Sequence, residues 1–169
     1  VIFLTEVVLP ITLYVLLKPV NKTLSLVAMV ARLAMAVVQG INLLNHFAVL
    51  ELLSDADYLT VLGPDQLYAL ASLFLRAHGF VSLIWGLFFG LHLLFLGYLV
   101  YKSSYIPRIL GVFLVLASLC YLVSGFGSFL FPKHSDILAS VSLLSIVEVA
   151  FPLWLLIKGV KEHEKERAP

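Results

Sequence analysis

Apolar residues run almost unbroken along this chain, and polar residues gather in a few short breaks. Crossing the hydrocarbon core of a bilayer takes about 20 mostly apolar residues in a helix. Five stretches have that character and predict helices over about 1–17, 23–53, 67–100, 107–130 and 137–157. Turn and stop residues fill the breaks: Lys18-Pro19-Val20-Asn21-Lys22, Ser54 to Gln66 with its Gly63-Pro64, Lys102 to Ile106, and Pro132 to Asp136. The runs lack the period-two alternation of barrel strands. The expected fold is all-α, a polytopic transmembrane helix bundle over 1–158 followed by a polar tail over 159–169.

Composition sharpens this. Of the 169 residues, 62% are hydrophobic and 12% charged, against roughly 45–50% and 25% in soluble domains. A water-soluble domain of this length has too little interior to hide that much apolar surface. The net charge of +1 offers no field for nucleic acid, so none is expected as a partner. One cysteine, Cys120, excludes an internal disulfide framework and a multi-cysteine metal cluster, and no metal site is expected.

The basic residues orient the bundle. Lys18 and Lys22 follow the first predicted helix, Lys102 and Arg108 separate the third from the fourth, and Lys158, Lys161, Lys165 and Arg167 follow the fifth. The intervening loops carry Asp55, Asp57 and Asp65, or Lys133 against Asp136. Alternate loops are thus basic, as the positive-inside bias requires, and the C-terminus is expected in the cytoplasm beneath a cell inner (plasma) membrane. On this orientation Val1 falls near the outer face inside an apolar run, which predicts a further helix upstream and six or more in all.

Polar side chains within the apolar runs are the candidates for function, because an ionisable group in a bilayer is costly. Arg32, Gln39, Asn42 and His46 recur at steps of seven, three and four, which places them along one helix face. That face must meet protein or water. Inter-helix hydrogen bonding accounts for Gln39 and Asn42, while Arg32 calls for a counter-ion or a ligand. Glu6 and Glu148 fall near the expected midplane, and each precedes a proline by four. The proline ring frees the glutamate's own carbonyl from its helical bond. One glutamate is expected to neutralise Arg32, leaving the other protonated or awaiting a proton, cation or other ligand.

His78 and His92 lie fourteen residues apart, roughly 21 Å along one helix and on nearly one face. His46 and His78 share a depth near the outer side, which allows either a polar patch or a single b-type haem. No other cofactor is suggested. Gly86-x-x-x-Gly90 gives the third predicted helix a small-residue face suited to close packing, within the chain or in a homo-oligomer or larger membrane complex.

Short segments along nearly the whole chain resemble the domain-of-unknown-function 4386 family of bacterial integral membrane proteins. They include Lys18-Pro19-Val20-Asn21-Lys22, Asn42-Leu43-Leu44-Asn45, His78-Gly79, Phe88-Phe89-Gly90-Leu91-His92 and Ile106-Pro107-Arg108-Ile109-Leu110-Gly111. The resemblance implies six or seven spans with an additional N-terminal helix, and it transfers no activity or catalytic residue. The sequence therefore points to a small ligand, lipid or ion bound or passed through a polar intramembrane site formed by Arg32, Gln39, Asn42, His46, Glu6 and Glu148. The alternatives are an accessory structural subunit and a haem-carrying electron carrier. Nothing in the sequence locates a substrate for an enzyme.

Overall fold

The computed structural model describes residues 2–54, 56–131, 133 and 143–159. Within them the chain is all-helical, with five α-helices in order: α1 (Ile2–Leu17), α2 (Lys22–Leu52), α3 (Pro64–Lys102), α4 (Arg108–Leu130) and α5 (Ala150–Lys158). Single 3-10 stretches occupy Asp57–Val61 and Leu143–Val149. The tail beyond residue 159, the loop aspartates Asp55 and Asp136, and the beginning of the fifth predicted helix (137–142) lie outside the described residues.

Local chemistry explains the boundaries. Asn21 caps α2, its side-chain oxygen accepting the Leu24 N–H at 3.0 Å. Pro64 occupies the first turn of α3, where a missing N–H costs nothing, and the Gln66 side chain accepts the Gly63 N–H at 3.0 Å. Gly159 ends α5 at φ 62, a conformation that favours glycine. In the connection between α2 and α3 the Tyr58 hydroxyl donates to the Glu51 carboxylate.

Three helices, α2, α3 and α4, are long and apolar enough to cross a membrane. The sequence suggested five such stretches. The 16 residues of α1 rise about 24 Å at 1.5 Å per residue. At the other end, seven 3-10 residues precede nine α-helical ones. The steeper 3-10 rise of about 2.0 Å per residue brings that stretch to roughly 28 Å.

Each long helix packs on the next in sequence, α2 on α3 and α3 on α4, with α1 against α2 and the Leu143–Val149 stretch against α4. The apolar core lies in the half of the bundle nearest the basic loops. It joins Leu17 of α1, Leu93, Leu96, Leu99 and Val100 of α3, Leu110 and Leu114 of α4, and Phe151 of α5. The Tyr105 hydroxyl, in the α3–α4 connection, donates to the Leu16 carbonyl at 2.6 Å. The ends of α1 and α3 thereby meet at one end of the molecule, the end that carries Lys18, Lys22, Lys102 and Arg108.

Glycines set the α3–α4 distance. A Cβ at Gly97 would lie 2.8 Å from the Gly111 carbonyl oxygen, and one at Gly111 would lie 2.6 Å from that of Gly97. Further along, a Cβ at Gly90 would press on Leu122 and Tyr121 at 3.0–3.1 Å. The Gly86 and Gly90 face, which the sequence suited to close packing within the chain or with another chain, is occupied by α4 of the same chain. Both glycines are buried there. Small residues bring two helix backbones together wherever the partner comes from, and here the partner is the next helix.

Candidate functional site

Arg32 sits on α2 about ten residues from Lys22 at the basic end, and His92 on α3 about ten residues from Lys102. Ten residues of helix rise about 15 Å, half the ~30 Å thickness of a hydrocarbon core. Glu6 on α1 and Glu148, two residues before α5, stand at a comparable remove from the same end. Four ionisable side chains from four parts of the chain thus share one depth, the middle of the apolar layer.

Arg32 and Glu6 form a bidentate pair. The Arg32 Nε donates to Glu6 Oε2 at 2.9 Å and Nη2 to Oε1 at 3.0 Å. Their side chains are 13% and 23% exposed, so the pair is largely withdrawn from its surroundings. The guanidinium also lies over the Phe89 ring, 5.2 Å from its centroid, adding a cation–π contact. This fork geometry is the strongest that a carboxylate can accept, and it satisfies the charge of Arg32 inside the protein.

Glu148 is differently placed. Its Oε1 accepts a hydrogen bond from the Tyr121 hydroxyl at 3.2 Å, while Oε2 is buried with no partner. Arg32 is near enough for its charge to act on both Glu148 and His92. His92 is buried at 1% exposure. Its Nδ1 lies 2.8 Å from the Ala28 carbonyl oxygen, and an imidazole nitrogen facing a carbonyl carries the proton. The neutral ring then presents Nε2 as an acceptor, and Nε2 is buried without a partner. Phe89 and Tyr121 meet edge to face at 5.0 Å, and Phe89 stacks on His92 at 6.2 Å. These rings connect the arginine, the histidine and Glu148 in one cluster.

The remaining stripe residues belong to a second group, nearer the end opposite the basic loops. Asn42 is fully buried, and its Nδ2 donates to the His78 carbonyl and to Ser82 Oγ at 3.2 Å each. Asn45 Nδ2 donates to Asn42 Oδ1 at 2.9 Å. The His46 and His78 rings touch edge to face with centroids 4.0 Å apart. His78 Nδ1 is buried and unpartnered, whereas His46 is exposed. Gln39 is half-buried and its side chain joins neither group.

The six candidate residues therefore separate. Glu6, Arg32 and Glu148 converge at mid-depth with His92, Asn42 and His46 converge with His78 further out, and Gln39 lies between. Sequence reasoning omitted Phe89 and Tyr121 from the site. Their signals were present in outline: Phe89 is one helical turn before His92, and Tyr121 falls on one face with the small residues Ser118 and Gly125.

Fold and site together define a class: an all-α membrane protein with a buried ionisable cluster midway along its apolar helices. The chain belongs to the family described as Domain of unknown function (DUF4386), whose match spans residues 1–159. An uncharacterized protein from Archaeoglobus fulgidus is 29% identical over 169 residues, covering 99% of this chain and 85% of the relative. That relative is archaeal, so the family likeness does not tie the chain to bacterial membranes. No solved structure matches.

Proposed function

We propose that this membrane protein binds a proton or small cation at its mid-depth cluster, as the loading step of an ion- or ligand-handling cycle. The reading rests on the buried, unpartnered Oε2 of Glu148 beside an ion pair that is already satisfied. Arg32 and Glu6 cancel each other, so the cluster is neutral when Glu148 carries a proton and anionic when it does not. In an apolar layer an uncompensated charge is costly, and one proton or one small cation restores neutrality. His92 Nε2 supplies a second acceptor in the same cluster. Tyr121 orients the carboxyl through its hydroxyl.

The positive-inside bias supports a plasma-membrane orientation with Lys18, Lys102 and Lys158 toward the cytoplasm. The test is infrared spectroscopy of the full chain in lipid vesicles during a pH titration. A carboxyl-stretch band that titrates in the wild type and disappears in Glu148→Gln supports the reading. A band pattern unchanged by that substitution overturns it. A second reading, as a subunit of a larger membrane assembly, draws on the outer hairpin, where Phe47, Leu50, Tyr68 and Leu73 are exposed. The 39 residues of α3 reach about 58 Å, well past one bilayer core, and stoichiometric co-purification of another membrane chain would favour that reading.

A further inference from the structure

A groove of about 520 Å³ runs along the surface of α2, α3 and α4 in the half of the bundle nearest the basic loops. Leu24 of α2, Phe95 and Tyr98 of α3, and Val112, Val115 and Leu116 of α4 line it. Its volume is within the ~300–1,000 Å³ typical of small-molecule sites. It follows from the glycine contact: where Gly97 and Gly111 let the two backbones touch, the flanking side chains leave a trough beside the crossing. The lining is apolar along its length, and Tyr98 and Tyr101 stand at its basic end.

Two cations continue that end. Lys102 is four residues beyond Tyr98 on α3, and Arg108 four residues before Val112 on α4, so each lies one turn past the groove on the face that lines it. Both are exposed. The Lys102 ammonium rests over the ring of Tyr98, a lining residue of the groove, 5.9 Å from its centroid. Apolar trough, aromatic collar and paired cations occur in the order in which a lipid presents acyl chain, interface and phosphate.

We infer that this groove holds one phospholipid of the cytoplasmic-side leaflet with a net anionic headgroup, its acyl chain against Phe95, Val115 and Leu116 and its phosphate between Lys102 and Arg108. The site is separate from the Glu148 cluster and does not depend on the function proposed for it. A zwitterionic lipid would fill the trough equally well, but only an anionic headgroup answers the two cations. Lys102 and Arg108 thus set the headgroup preference, and the trough sets the requirement for a chain.

Native mass spectrometry of the detergent-purified full chain tests this, with phosphatidylglycerol and phosphatidylcholine of identical acyl chains as probes. One phosphatidylglycerol should be retained in preference to phosphatidylcholine. Lys102→Ala should weaken it about fivefold, equivalent to about 1 kcal/mol per surface basic residue. The Lys102→Ala/Arg108→Ala pair should erase the preference, and Leu116→Trp, which fills the trough, should remove both lipids. Addition of inorganic phosphate alone should displace nothing. Equal retention of the two lipids by the wild type, an undiminished preference in the double variant, or undiminished binding by Leu116→Trp would each overturn the assignment.

Discussion

Removing one partner of the Arg32–Glu6 pair should cost far more than removing both. The two hydrogen bonds at 2.9 and 3.0 Å and the low exposure of both side chains mark a pair taken out of water. Breaking such a pair from one side typically costs 3–5 kcal/mol, because the remaining charge is left buried. Two features here moderate that figure for Glu6→Gln. The guanidinium keeps its contact with Phe89, worth about 0.5–2 kcal/mol, and Glu148 is close enough to respond to it. We expect Glu6→Gln to destabilise the protein by about 3 kcal/mol. Replacing both partners by apolar residues, Glu6→Leu with Arg32→Met, should change stability by less than about 1 kcal/mol, since apolar replacement of a whole buried pair is often neutral or better. The assay is reversible unfolding in mixed micelles across the full double-mutant cycle. A Glu6→Gln cost below about 0.5 kcal/mol, the range of ordinary surface changes, would refute the argument, as would additive single-mutant effects. Adding Glu148→Gln to Glu6→Gln should cost more than the sum of the two singles, because it removes the remaining carboxylate.

Other expectations follow from single contacts. Gly111→Ala places a methyl 2.6 Å from both the Gly97 carbonyl oxygen and the Tyr101 nitrogen; backbone cannot step aside as a side chain can, so about 2–3 kcal/mol should be lost in the same assay. Gly79→Ala meets nothing within 4 Å and should be neutral or stabilising by up to about 1 kcal/mol through helix propensity, so a loss comparable to Gly111→Ala would contradict the packing account. Tyr105→Phe removes the bond to the Leu16 carbonyl and should cost about 1 kcal/mol. Burial raises the Tyr105 pKa above its ordinary 10.0, so that contribution is complete below pH 10.0 and fades as pH climbs from there through the folded-state value. The wild type and Tyr105→Phe should therefore converge in thermal stability in strong alkali. Asn42→Leu removes the α2–α3 bonds to the His78 carbonyl and Ser82 Oγ and the side-chain acceptor of Asn45, while Asn45 keeps the residue-42 carbonyl and Ser82 keeps that of His78; since polar contacts between membrane helices average about 0.6 kcal/mol, a loss near 1 kcal/mol is expected from unfolding curves.

What the sequence disclosed depended on whether the property varies along a helix or around it. The all-α class and the apolar helices α2, α3 and α4 were readable because bilayer thickness fixes a minimum apolar length, and length is visible in one dimension. Depth was readable for the same reason, which is how Arg32, Glu6 and Glu148 could be placed at one level. The choice between the glutamates was not: both precede a proline by four, and only the rotation of each helix about its own axis decides that Glu6 meets Arg32 while Glu148 meets Tyr121. Depth divides the Arg32–His46 stripe as well, since Asn42 lies ten residues, about 15 Å, along α2 from Arg32 and meets His78 and Ser82 of α3 where Arg32 meets Phe89. The glycine face showed the same limit, because Gly86 and Gly90 declare that a backbone comes close without naming whose. The 3-10 stretch at Leu143–Val149 carried no sequence signal beyond Pro152 downstream.

The division of labour among the helices bears on how the cluster works. The buried core and the glycine contact belong mainly to α3 and α4, and the long helices supply Arg32, His92, Phe89 and Tyr121. Both carboxylates come from the two short flanking segments. α1 is weakened at its carboxylate, since Pro10 lacks the N–H that would bond the Glu6 carbonyl. Glu148 itself lies in a 3-10 stretch of seven residues, longer than the three or four at which that geometry is comfortable. The acids thus lie outside the three long helices that carry the cation and the rings. On the proposed reading, a proton arriving at Glu148 would change its contact with Tyr121 and leave the packing of α3 on α4 as it is. Substitutions at Glu148 should accordingly separate ion handling from folding, whereas substitutions at Gly97 or Gly111 should not.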